Sequence, residues 1–181
     1  MIGNDLRALG GMSAVVNSYV SGGLNGQWPV RYLASFHHKK TLNKLWMAAR
    51  AFVQLLFWLM SGKVAAVHAH SAARGSFWRK RMYLGVARRF GCKTFLHIHD
   101  GSFVQWYEKS LSPASQAAVR ETLESVDRVV VLSEVWADQL RVIQPKAHFS
   151  AIDNPVAVPD ASQLQCEKAA SPRRILFMAR L

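Results

Sequence analysis

The sequence predicts an α/β domain: a Rossmann-like, mostly parallel sheet with flanking helices. Three observations carry this. Short β-rich apolar runs alternate with segments of helical spacing along most of the chain, the pattern of strands joined by crossover helices. Arg128-Val129-Val130-Val131-Leu132 is a β-branched run of the kind buried on both faces of a parallel sheet. The clearest unit runs from Val64 to Phe103: an apolar run ending in His68-Ala69-His70, a basic apolar-striped segment, and a second apolar run ending in His97-Ile98-His99 before a Gly/Ser loop. Read as strand, helix, strand, each H-x-H places two imidazoles on one face at a strand's carboxyl end. In open parallel sheets that edge is where ligands bind.

Taken in order, Leu9-Gly10-Gly11-Met12-Ser13 opens a helix through about Val20, the glycines permitting a tight turn and close backbone approach. Only Met1 and Ile2 stand where a strand should precede that turn, so the first strand is expected to be largely missing. Gly22 to Gly26 is a loop, and Val30 to Ala34 a strand after Pro29. His37-His38-Lys39-Lys40 is polar and solvated. Leu42 to Met60 is a long helix with a broad apolar stripe. Its apolar half is too short to span a bilayer, which takes roughly 20 residues. It reads as a buried helix, or as a membrane-surface helix whose Lys39, Lys40, Lys44 and Arg50 meet lipid phosphates. Trp106 and Tyr107 form an aromatic cluster beside the proposed site. Ser112-Pro113 starts a helix to about Ser125, with Ser as N-cap and Pro at its first position. Ser133 caps another through about Val142, and His148 to Ile152 is a further strand. Residues 157 to 172 read as a linker, and Arg173 to Leu181 as the first strand of another unit. The domain division is therefore 1–156 and 157–181.

The net charge of +12 is unevenly placed. Between Arg7 and His99 there is no Asp or Glu, against fourteen Lys and Arg, whereas from Asp100 onward ten acids meet nine bases. Such a field favours a phosphorylated ligand, an anionic membrane surface or nucleic acid. The basic residues are spread over several elements and no nucleic-acid-binding signature is present, so nucleic acid is not expected as a partner. The cysteines, Cys92 and Cys166, lie far apart and form no C-x-x-C, which favours a reducing compartment.

The residues themselves leave several chemistries open. Four histidines on neighbouring strand ends are candidate zinc ligands, with Asp100 adding a carboxylate. The same imidazoles with Ser71, Ser76, Asp100 and Ser102 suit a hydroxyl-rich ligand. Arg74, Arg79, Lys80 and Arg81 suit a phosphate. A non-catalytic binding module and a zinc-dependent hydrolase both remain as function classes.

Gly10-Gly11 opening a helix, V-H-A-H-S-A-A-R-G-S-F-W-R-K, F-L-H-I-H-D-G-S-F, V-V-V-L-S-E and I-D-N-P-V, in this order, resemble the amino-terminal domain of retaining GT-B glycosyltransferases of the family-4 type. R-R-I-L-F-M-A-R-L resembles the first strand of that family's carboxyl-terminal domain. Asp100 stands where a glycine is expected, and Ala179 where a glycine often precedes the Arg. The resemblance implies transfer of a sugar from a nucleotide-sugar donor, UDP- or GDP-linked, to a saccharide or lipid-linked acceptor in surface polysaccharide or glycolipid synthesis. It implies retained anomeric configuration, no metal and no other cofactor. His99 would be catalytic, facing the donor sugar. Gly10, Gly11 and Arg180 would bind the donor diphosphate, and Ser71, Arg74, Ser76 and His97 would lie toward the acceptor. The place implied is cytoplasmic, with peripheral contact at the inner face of an anionic membrane. The chain is expected to be a fragment truncated at both ends, marginally stable and inactive alone.

Overall fold

The computed structural model describes residues 1–8, 10–36 and 41–156. The division at residue 157, the strand expected at 173–181 and Arg180 fall outside the described residues, as does the run from His37 to Lys40.

Six strands form one parallel sheet in the order β2-β1-β3-β4-β5-β6: β1 (Ile2–Gly3), β2 (Leu33–Ala34), β3 (Ala66–Ser71), β4 (Lys93–Ile98), β5 (Arg128–Val131) and β6 (Phe149–Ala151). Seven helices connect or follow them among the described residues: α1 (Gly11–Ser21), α2 (Leu24–Gln27), α3 (Thr41–Met60), α4 (Gly75–Arg89), α5 (Phe103–Ser110), α6 (Pro113–Ser125) and α7 (Glu134–Ile143). The Rossmann-like α/β expectation therefore holds.

β1 is only two residues long, as the two residues ahead of the turn led one to expect, and it occupies an interior position. Ile2 pairs with Leu33 of β2 on one side and Ala69 of β3 on the other. Leu33 and Ser35 donate their N–H groups to the carbonyls of Met1 and Gly3, at 2.8 and 2.9 Å.

The chain steps from β1 outward to β2, returns across β1 to β3, and then moves in one direction to β6. Right-handed crossovers place α1 on one face and α3, α4 and α7 on the other. On the second face Phe77, Tyr83, Leu84 and Ala87 of α4 bury against Val67, Ala69, Leu96 and Ile98. Each large apolar side chain so buried stabilises the fold by ~1.5–3 kcal/mol.

Helix caps follow the sequence. Ser112 accepts a bond from the N–H of Ser115 with Pro113 in the first turn, and Ser133 accepts one from Trp136. α5 was assigned no element from the sequence, which placed Trp106 and Tyr107 only as an aromatic cluster beside the site. Phe103, Trp106 and Tyr107 are buried. Trp106 meets Phe77 and Phe103 with ring centroids 5.7 and 5.2 Å apart. The cluster is an internal brace under α4 rather than a binding platform.

Candidate functional site

The chain leaves β1 and β3 toward opposite sides of the sheet. A crevice must therefore open outside their carboxyl ends, the switch point at which open α/β sheets bind ligands. Residues 4–8 follow β1 there, and residues 72–74 and 99–102 follow β3 and β4.

β3 and β4 run in register, with His70 opposite His97 and Ser71 opposite Ile98. This puts His68, His70, His97 and His99 on one face as a ladder of two rungs. His68 Nε2 lies 3.2 Å from His97 Nδ1, and His70 Nδ1 lies 2.8 Å from His99 Nε2. Along each strand the rings stack, His68 on His70 with centroids 4.6 Å apart and His97 on His99 at 4.0 Å. Burial disfavours the charged imidazoles. It lowers His68 and His99 to about 4, helped at His68 by the amino terminus and His99. His97 falls to about 2 and His70 further still, again mainly through burial and then through the neighbouring imidazoles. The ladder is neutral near pH 7.

A carboxylate joins the two loops above the ladder. Asp100 accepts the N–H of Ala73, in the loop after β3, at 3.0 Å. It also accepts the N–H and hydroxyl of Ser102, in its own loop, at 2.9 and 2.7 Å. Burial pushes its pKa up, but the bonds from Ser102 and Ala73 and the charge of Arg74 outweigh this and hold it low. The Asx turn is readable in D-G-S; the bond across to Ala73 is not. Next to this joint Arg74 has φ 61° and ψ −135°, and no other non-glycine residue described has positive φ. Ser76 Oγ accepts the Ala72 N–H at 3.2 Å, so bonds on both sides hold the strained residue in place.

Gly10 and Gly11 begin α1 without a side-chain cap and without an acid in the first turn. A Cβ on either would meet nothing within 4 Å, and neither lies in the left-handed region, Gly10 being extended. No contact within the described chain requires glycine at these positions. Ser13 and Asn17 tie the preceding loop to α1 by donating to the carbonyls of Asp5 and Leu6, at 3.0 and 3.1 Å.

The sequence-predicted residues thus sort by position. Gly10 and Gly11 lie at the carboxyl end of β1; Arg74, Ser76 and His99 lie at the ends of β3 and β4. Ser71 and His97 are fully buried. As placed, neither presents a surface to a ligand. The basic run does not stay together, because successive helical residues point about 100° apart. Arg79 stacks over Phe36 at 4.9 Å, Lys80 is buried against Ser35 at 2.6 Å, and Arg81 pairs with Glu121 at 2.8 Å. Of the four proposed phosphate holders only Arg74 stands exposed in the site loops. The reading missed the Lys80–Ser35 pair, for which the sequence carries no signal.

His68, His70 and His97 each bring a ring nitrogen within 4.8 Å of the others. Zinc held at ~2.0–2.1 Å needs lone pairs converging on one point. His68 Nε2, His70 Nδ1 and His97 Nδ1 already serve the rungs, while His70 Nε2 and His97 Nε2 are buried without a hydrogen-bond partner. The arrangement fits a hydrogen-bonded array better than a closed metal site. A cavity of about 840 Å³ is lined by Met1, Trp28, Trp58, His68, Phe95 and Val130 among others. It runs from the amino ends of β1 and β3 across the sheet to β5 and β6, and His68 lies in its wall.

Comparison with known proteins bears on these observations. Neither the curated proteins nor the solved structures yield a match. The family model described as "Glycosyl transferase 4-like domain" matches residues 7–153, from the turn before α1 to the end of β6. With a parallel sheet, an open switch point and an uncapped Gly-Gly helix start inside that span, the chain belongs to the glycosyl transferase 4-like domain family.

Proposed function

We propose that this domain forms the acceptor side of a retaining GT-B glycosyltransferase. The enzyme moves a sugar from a UDP- or GDP-linked donor to a saccharide or lipid-linked acceptor during surface polysaccharide or glycolipid synthesis. It works in the cytoplasm, against the inner face of an anionic membrane. The observation that carries the reading is the joint made by Asp100: it holds the β3 and β4 loops, with Arg74 and His99, as one rim beside the open start of α1.

The chemistry follows from charge. The departing diphosphate gains negative charge and the sugar becomes cationic, so stabilisation comes from fixed donors at the first and polar groups at the second. The free N–H groups of the α1 start suit the diphosphate. Neutral His99 uses Nε2 toward His70, which leaves Nδ1 for a sugar hydroxyl. Arg74 suits a phosphate or carboxylate on the acceptor. The reading calls for no metal; stoichiometric zinc in the purified protein would favour the hydrolase reading instead.

The test uses the full-length enzyme. His99→Ala is expected to cut turnover at least tenfold while leaving the melting temperature within about a degree, since the side chain is half-buried at the rim. Wild-type turnover in that variant would remove His99 from the chemistry. Proton NMR of the first-formed product decides whether the anomeric configuration is retained.

A further inference from the structure

α3 carries an apolar stripe that nothing in the described chain covers. Its inner face, Ala51, Leu55 and Leu59, enters the core, and Phe52 stacks on Tyr83 of α4. On the outer face Trp46, Val53, Phe57 and Met60 are 72, 64, 73 and 74% exposed. With Arg50 between them they follow a spacing of four, three, four and three, which is one line along a helix. Scattered exposed apolar residues are ordinary; a continuous line of large ones marks a contact surface.

We infer that this stripe is the surface by which the domain docks on an anionic lipid bilayer. The inference deepens the peripheral-membrane part of the function proposed above and names the residues responsible. Charge selects the occupant. Arg50 lies on the stripe and exposed Lys63 just beyond its end, and no Asp or Glu occurs from Arg7 to His99. A second copy of this chain would bring like charge against like charge, whereas anionic headgroups complement it. A helix with one apolar line, basic flanks and a terminal Trp has the form of an interfacial helix rather than a spanning one; no helix described is long and apolar enough to cross a membrane. The orientation also suits the reaction. α3 follows β2 and precedes β3, so it starts at the carboxyl edge of the sheet and ends at the amino edge. Lying flat over its ~30 Å, it turns the crevice edge along the membrane surface, where the headgroup of a lipid-linked acceptor lies.

The test is flotation of the full-length protein with vesicles of phosphatidylcholine alone or with 30% phosphatidylglycerol added. The wild type is expected to float with the anionic vesicles and at least fivefold less with the neutral ones. Phe57→Glu and, separately, Trp46→Ser are each expected to lose at least fivefold of the anionic binding. Val142→Glu, on the outer side of α7, is expected to float like the wild type. Thermal melts check folding, and the two α3 variants guard against one failing to fold. Wild-type flotation in both variants overturns the inference, as does absence of binding by the wild type. So does sedimentation that shows a dimer dispersed by Phe57→Glu, which would give the stripe to a second copy. Binding is read without any sugar substrate, and transfer to a water-soluble acceptor is measured in parallel, so a failed docking surface and a failed glycosyl-transfer reading give different results.

Discussion

Lys80 lies fully inside the domain, and its ammonium donates to the hydroxyl of Ser35, which itself donates to the carbonyl of Gly3. Burial, and then the charge of Arg79, lowers its pKa to about 7. An unfolded lysine keeps its proton to about 10.4. Between those values the unfolded chain binds the extra proton, so stability rises with pH across that window, and the full penalty applies below it. Lys80→Met is therefore expected to stabilise the domain by a few kcal/mol at or below pH 7, a gain that fades toward pH 10. Urea unfolding at the two pH values measures it. Gly11 makes the opposite case. A Cβ there meets nothing within 4 Å, and alanine is the better helix former. Gly11→Ala is expected to leave stability unchanged or slightly raised, yet to reduce sugar transfer at least tenfold if the donor diphosphate approaches that backbone. Full activity in this variant would rule out that approach. One substitution tests packing and the other tests ligand room.

Among elements, the loops after β3 and β4 act as one because Asp100 bonds both. Asp100→Ala removes the acceptor for three donors on Ala73 and Ser102. Leaving such groups unpaired costs ~1–3 kcal/mol. The expected result is a destabilisation of that order, together with a fall in kcat/KM larger than stability explains, because Arg74 loses the bond that helps hold its positive φ. Chemical denaturation and steady-state kinetics on the same variant separate the two. Much at this scale was legible in the sequence. Ser112-Pro113 and Ser133 announce helix starts with a physical mechanism, and both caps form. The β-branched run of β5 has the composition of an interior parallel strand, and it is one. α5 was not legible, because Gly101-Ser102 reads as a loop and the helix is held by aromatic packing against α4, which no local signal encodes. β1 was legible as a stub, and its two residues still pair with neighbours on both sides.

For the whole molecule, the four neutral histidines set a response to acid. Their folded pKa values lie at about 4 or below, against roughly 6.5 when unfolded. As pH falls from about 6.5 toward 4 the unfolded chain takes up more protons than the folded one, and stability declines through that window. Melting temperature is expected to drop steeply between pH 6.5 and 4, and His68→Leu to flatten the slope. A profile level from pH 7 to 5 would show that the ladder is not buried as described. The H-x-H spacing revealed the ladder's position, because strand periodicity and parallel register follow from the chain itself. Which of its members would be sealed was not visible: His70 and His97 are fully buried, His68 and His99 only partly. The same limit scattered the Arg79-Lys80-Arg81 run, whose three side chains meet three different partners.

The two-residue β1 has a consequence for the order of assembly. β3 through β6 are each paired with the next strand in the chain, and a single crossover of one or two helices closes each pair. β1 must instead find Ala69 across α1, α2, β2 and α3, and it brings very few ladder bonds when it arrives. Closing so long a loop for so little pairing is slow and late. The half-sheet from β3 to β6 is then the nucleus, and the crevice is completed only when β1 slots between β2 and β3. The β1 and α1 side of the crevice would be the last part of the domain to form and the first to open.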